Sequence, residues 1–127
     1  MTDNVNNPKH YEKNSVTIRP IDLIRYLPGS LANACKYIIR AGDKNNELED
    51  IKKAIWYLND ILNDDNSNEL FVVPYVEANS LNEIKFSLAN FYYTHTSKYL
   101  NRLFCKRSKE GIKDTIEMLK ADYDIKD

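Results

Sequence analysis

Four polar residues, Asn33, Lys36, Arg40 and Lys44, stand three, four and four positions apart, the spacing that lines side chains up along one stripe of a helix. Arginine offers a planar fork to phosphate oxygens and lysine a mobile point charge, so this stripe suits a ligand that carries several phosphates. A solvated helix face has the same composition, and that reading stays open. Asp50, Lys53 and Tyr57 make a neighbouring stripe, and Trp56 lies off the apolar row beside Lys52, Lys53 and Asp60. A tryptophan on a polar side asks for a partner: a stacked base, a subunit interface, or a second core surface under the C-terminal half. Glu47, Glu49 and Asp50 suit a magnesium ion, which takes one or two carboxylates together with substrate phosphates, and they suit the positive end of a helix equally well. His10, in the run Asn7, Pro8, Lys9, His10 and Tyr11, is a group that titrates near neutral pH and can donate to a phosphate or move a proton. His95 is expected inside a helix. Neither histidine has a nucleophile and an orienting acid at a recognisable spacing, so no hydrolytic triad is inferred.

Helices must position these groups. Residues 1–19 show no helical period and read as an extended arm, with Pro8 pushing Asn7 away from helix. Pro20 suits a first helical position, and Ile21 to Leu27 make a short amphipathic helix that Pro28 and Gly29 stop. Ser30 is expected to cap a helix with Leu31, Ala34, Cys35, Ile38 and Ala41 facing inward and Gly42 ending it. Asn46 is expected to cap a third, whose buried stripe is Leu48, Ile51, Ile55, Leu58 and Leu62. From Asn59 to Asn68 the chain turns acidic and Asn-rich, and Leu70 to Val76, interrupted by Pro74, reads as a connector or edge strand. Ser80 and Glu83 form a capping box for a long helix carrying Leu81, Ile84, Leu88, Phe91, Tyr92, Tyr99 and Leu103. A last helix follows Ser108 with Ile112, Ile116 and Leu119 inward.

The pattern K-Y-x-x-R-x-x-x-K occurs twice, at Lys36, Tyr37, Arg40 and Lys44 and at Lys98, Tyr99, Arg102 and Lys106. With one residue dropped from the following loop, Ile51, Ile55 and Leu58 align with Ile112, Ile116 and Leu119. Either two helical hairpins descend from one, or two amphipathic hairpins resemble each other by chance. Asp50, Lys53 and Trp56 are answered by Gly111, Asp114 and Glu117, so the chemistry is not repeated. The expectation is an all-α small bundle of about five helices, two of its hairpins related, with residues 1–65 carrying the candidate site and residues 66–127 packed on them as a C-terminal hairpin.

Composition narrows the function. The 127 residues, 43% of them hydrophobic, allow one compact domain or two intimately packed small ones. Eighteen basic residues against 19 acidic exclude a histone-like protein. The basic run Lys98, Arg102, Lys106, Arg107 and Lys109 suits a solvated or phosphate-binding face better than nucleic acid. Three glycines exclude a GxxxxGK[ST] loop, a GxGxxG turn and a kinase glycine-rich loop. Two distant cysteines, Cys35 and Cys105, signal neither zinc nor a disulfide framework and fit a reducing cytosol. No secretory signal is read in the first residues and the apolar runs are too short to span a bilayer, so a soluble cytoplasmic protein is expected, without a membrane partner. Nine tyrosines in so short a chain point to a homo-oligomer.

Taken in order, the segments Asn7 to Tyr11, Ile21 to Ile24, Asn33 to Gly42, Lys44 and Asp50 to Leu58 resemble a small bacteriophage family over roughly residues 4–62. The family is mostly of unknown function and includes a nucleotide kinase that lacks the usual phosphate loop and phosphorylates deoxynucleoside monophosphates. The resemblance implies Pro8, His10, Tyr11, Asn33, Lys36, Tyr37, Arg40, Lys44, Asp50, Lys53 and Trp56 as site residues, with ATP as donor, magnesium as cofactor and the cytoplasm of an infected or lysogenic bacterium as the setting. The glycine that the family places before the helix-two asparagine has no clear counterpart, since Gly29 stands four residues before Asn33.

Three functions remain open. In the first, a nucleotide-binding protein acts as a deoxynucleoside-monophosphate kinase: His10, Lys36, Arg40 and Asp50 form the catalytic set, with Asp50 positioning magnesium, while Tyr11, Asn33, Tyr37, Lys44, Lys53 and Trp56 bind substrate. Such transfer relies on positioning and charge, so no covalent nucleophile is needed. In the second, a non-enzymatic phage effector binds a nucleotide signal or a host protein through the same basic face. In the third, a scaffold or host-protein inhibitor takes no nucleotide.

Overall fold

The computed structural model of the chain describes residues 12–13, 16–17, 19–25, 27–41, 46–64, 95–105 and 108–126. In the expected arm, β1 (Glu12–Lys13) pairs antiparallel with β2 (Val16–Thr17), Glu12 opposite Thr17 and Lys13 opposite Val16. Five helices follow among the described residues: α1 (Pro20–Ile24), α2 (Gly29–Ala41), α3 (Glu47–Leu62), α4 (Ser97–Cys105) and α5 (Lys109–Asp122). The architecture is all-α, a small bundle, as the periodicity requires.

Helix α1 starts at Pro20, and Asp22 reaches back to accept from the Arg19 backbone N–H at 3.2 Å. It is shorter than the expected Ile21 to Leu27, because a residue before proline is pushed out of the helical region and Leu27 precedes Pro28. Helix α2 begins two residues earlier than Ser30 capping predicts. The Pro28 carbonyl accepts the Ala32 N–H at 2.8 Å, and the Ser30 hydroxyl donates across to Asp60 Oδ2 of α3 at 2.5 Å. Asn46 does stand at the N-cap of α3, but its side chain makes no capping bond; its carbonyl accepts the Asp50 N–H at 3.0 Å. Ser108 caps α5 as expected, accepting from the Gly111 N–H at 3.3 Å.

The expected long helix does not run through His95. His95 and Thr96 form a turn and α4 starts at Ser97, in a Thr-His-Thr-Ser run whose hydroxyl side chains favour helix ends over interiors. The Ser80 to Glu83 capping box, the connector around Pro74 and the Gly42 terminator lie outside the described residues.

One core joins the elements: Leu23 of α1, Leu31, Ala34, Cys35 and Ile38 of α2, Ile51, Ala54 and Leu58 of α3, Leu100 and Leu103 of α4, and Ile112 and Leu119 of α5. Each large aliphatic side chain fully withdrawn from water contributes about 1.5–3 kcal/mol. Leu48 breaks the expected stripe, being 46% exposed, while Asp50 is buried. The inward direction of α3 runs between Ala54 and Leu58, which turns Leu48 about a quarter turn outward and brings Asp50 in.

The two hairpins, α2 with α3 and α4 with α5, bury the echoed positions alike: Ile51, Ile55 and Leu58 in one, Ile112, Ile116 and Leu119 in the other. Their seams differ. Tyr37 stacks on Tyr57, whereas Tyr99 meets Asp122 and Tyr123, whose places in the first hairpin belong to Ile61 and Leu62. Among the described residues, no helix is long and apolar enough to cross a membrane.

Candidate functional site

Helices α2 and α3 run antiparallel: Ser30 near the start of α2 bonds Asp60 near the end of α3, and Arg40 near the end of α2 pairs with Asp50 near the start of α3. The polar stripes of the two helices therefore meet along one seam. Tyr37 and Tyr57 stack across it with ring centroids 6.0 Å apart and planes 12° from parallel. Trp56 meets the Tyr57 ring edge-on at 5.0 Å and 85°. Two ammonium groups stand over the Tyr37 ring, Lys36 Nζ at 4.9 Å and Lys53 Nζ at 5.4 Å. Tyr37, Lys53, Trp56 and Tyr57 line a recess of about 310 Å³, at the small end of the volumes that hold ligands. Trp56 remains 63% exposed beside it.

The seam thus brings together Lys36, Tyr37, Arg40, Asp50, Lys53 and Trp56 of the expected set and adds Tyr57. Asn33 lies on α2 one turn before Tyr37, half-buried. His10, Tyr11 and Lys44 lie outside the described residues.

Asp50 is 1% exposed. Arg40 Nε approaches its Oδ2 at 3.5 Å, an ion pair without hydrogen-bond alignment, and Oδ2 has no hydrogen-bond partner among the described residues. A buried polar atom left so costs on the order of 1–3 kcal/mol. The start of α3, with its unpaired backbone N–H groups, offsets part of the charge. As placed, Asp50 does not fit a magnesium ligand, since its free oxygen is covered and faces a guanidinium. Glu47 and Glu49 are engaged elsewhere: Glu49 pairs with Lys53 at 3.7 Å, and among the described residues no group of three or more His, Cys, Asp or Glu is arranged to hold a metal.

Sequence reasoning missed a second polar cluster, where the start of α3 meets α4 and the end of α5. Glu47 Oε2 accepts from the Tyr123 hydroxyl at 2.6 Å and from His95 Nε2 at 3.0 Å. Asp122 Oδ2 accepts from the Tyr99 hydroxyl and Lys98 Nζ, each at 2.7 Å. These six residues line a cleft of about 430 Å³. The hydrogen bond from Tyr123, then that from His95, holds the Glu47 carboxyl below its ordinary value, and Lys98, then Tyr99, does the same for Asp122. Desolvation first, then the partner carboxylate, raises the phenols of Tyr99 and Tyr123. The cluster clasps one hairpin to the other. Partners 48 and 76 positions apart leave no local signal in the sequence.

Residues 5–59 match a family described as protein of unknown function (DUF3310). No curated protein and no solved structure matches the chain. The matched segment ends inside α3, so it contains every expected site residue and most of the α2–α3 seam, stopping one residue short of Asp60, while leaving out the second hairpin.

Proposed function

We propose that the α2–α3 seam binds a nucleotide, with the base against the rings of Trp56, Tyr57 and Tyr37 and the phosphates on Lys36, Arg40 and Lys53. The observation that carries this reading is the recess itself: three aromatic rings and an ammonium around an opening of about 310 Å³, with a tryptophan left 63% exposed. An aromatic face gives a base a sequence-tolerant stacking platform, and arginine and lysine at its edge supply the charge that phosphates require. The resemblance to the bacteriophage family with a kinase member supports the same ligand class, and a cytoplasmic setting in an infected or lysogenic bacterial cell goes with it.

Binding without transfer is the better supported form. The carboxylate of Asp50 is covered and faces Arg40, so it offers magnesium no ligand. The deciding experiment incubates the protein with magnesium, ATP and the four deoxynucleoside monophosphates and resolves all nucleotides by anion exchange, alongside calorimetric titration with each monophosphate. Saturable binding that a folded Lys36→Ala, Arg40→Ala double variant loses is the expected result. New diphosphates that disappear in the same variant establish the kinase instead, and undiminished binding by the variant removes the seam as the site.

A further inference from the structure

Arg40 and Asp50 form an arrangement that core packing does not require. Asp50 sits on the first turn of α3 and is sealed from water, yet one of its oxygens makes no hydrogen bond among the described residues. Removing one partner of a buried ion pair is costly when it strands the other as a buried charge, but Arg40 is 47% exposed, so neutralising Asp50 takes away a sealed charge without stranding another. The one ionic neighbour of Asp50 among the described residues is this guanidinium, which approaches through Nε. When Nε faces the carboxylate, the edge carrying the two terminal nitrogens points away from it. Neither terminal nitrogen has a hydrogen-bond partner among the described residues, and that edge is the fork that grips two oxygens of one phosphate.

We propose that Asp50 is a positioning residue: its buried carboxylate turns the Arg40 guanidinium so that the terminal fork faces the ligand and takes a phosphate end-on in a bidentate pair. This rests on the reading of the seam as a phosphate-ligand site and names what holds its anion. Asp50 touches neither ligand nor metal. The second hairpin does not repeat the arrangement, because Arg102 stands at the place of Arg40 and Gly111 at that of Asp50.

The test titrates the full chain with inorganic pyrophosphate and, separately, with deoxynucleoside monophosphates, following heat and the fluorescence of Trp56, the single tryptophan. Asp50→Asn keeps the shape and removes the charge. It is expected to weaken both ligands roughly tenfold, as loss of one aligned charge-assisted contact does, while melting at or above the wild-type temperature. In an Arg40→Lys background, which has no fork to orient, Asp50→Asn changes affinity by less than about twofold, the non-additivity expected of residues acting as one unit. Nucleotide binding unaffected by Asp50→Asn overturns the positioning role and leaves the seam reading intact. So does an Asp50→Asn chain that fails to fold, which makes the carboxylate structural. Pyrophosphate binding that depends on Asp50, with no nucleotide preference and no change in Trp56 fluorescence, sustains the positioning role and removes the nucleotide. A wild-type chain that binds neither ligand overturns both.

Discussion

Trp56→Ala separates binding from folding. The indole is 63% exposed and touches Tyr57 edge-on, so little more than a third of its surface is covered by the chain. A tryptophan presents up to about 250 Å², and the covered share at about 25 cal/mol per Å² sets the cost of truncation at no more than about 2 kcal/mol. Part of that area is already buried in the unfolded ensemble, so the loss lies below this bound. Stacking a base on the indole contributes about 1–3 kcal/mol, a factor of roughly 5–150 in affinity. Trp56→Ala is therefore expected to stay folded, melting a few degrees lower, and to lose deoxynucleoside monophosphate binding by one to two orders of magnitude. Calorimetry measures the affinity, since the fluorophore is gone, and a thermal melt measures the fold. Nucleotide affinity within about twofold of wild type refutes the stacking role. A stability loss well above about 2 kcal/mol refutes the account of an indole left largely without a partner. Unchanged binding with a shift in sedimentation reassigns Trp56 to a subunit interface.

Other consequences follow from the packing and the clasp. Leu58→Ala, at a site with no exposure, should cost about 2–5 kcal/mol in denaturant unfolding, whereas Leu48→Ala should stay within about 0.5 kcal/mol; equal losses at the two sites would show the rotation of α3 to be wrong. Glu47 and Asp122 are held below their ordinary values of 4.5 and 3.8, so their contribution is present above those values and is lost as pH falls through the lower folded ones. Unfolding free energy should accordingly drop as pH is taken from 5 towards 3, and less steeply in Glu47→Gln; identical slopes would remove the clasp as a source of stability. Burial pushes the Cys35 thiol up to about 12, so at pH 8 peptide mapping should find Cys35 alkylated only after denaturation.

The identities of α2, α3 and α5, the inner faces of α2 and α5 and the Ile51, Ile55 and Leu58 part of that of α3 were legible in the sequence, because an apolar period of 3.6 is a local property and each of these stripes is written within one continuous segment. Ser108 was legible for the same reason, its partner lying three residues away at Gly111. Most of the candidate seam was legible too: Lys36, Tyr37 and Arg40 face Asp50, Lys53 and Trp56 because the two helices that carry them are consecutive and must fold back on each other. Tertiary packing decided the remainder. A periodic stripe leaves the rotation of a helix undetermined by about one position, and the neighbours of α3 settled it by turning Leu48 out and Asp50 in. That rotation changed Asp50 from an exposed candidate for magnesium into a buried partner of Arg40. The bond from Ser30 to Asp60 and the clasp on Glu47 depend on residues brought close only by the folded chain. The echo between the hairpins shows the division clearly: matching apolar spacing buries matching residues, but Tyr37 and Tyr99 meet different partners because side-chain volume and charge along each seam set the relative placement of its helices.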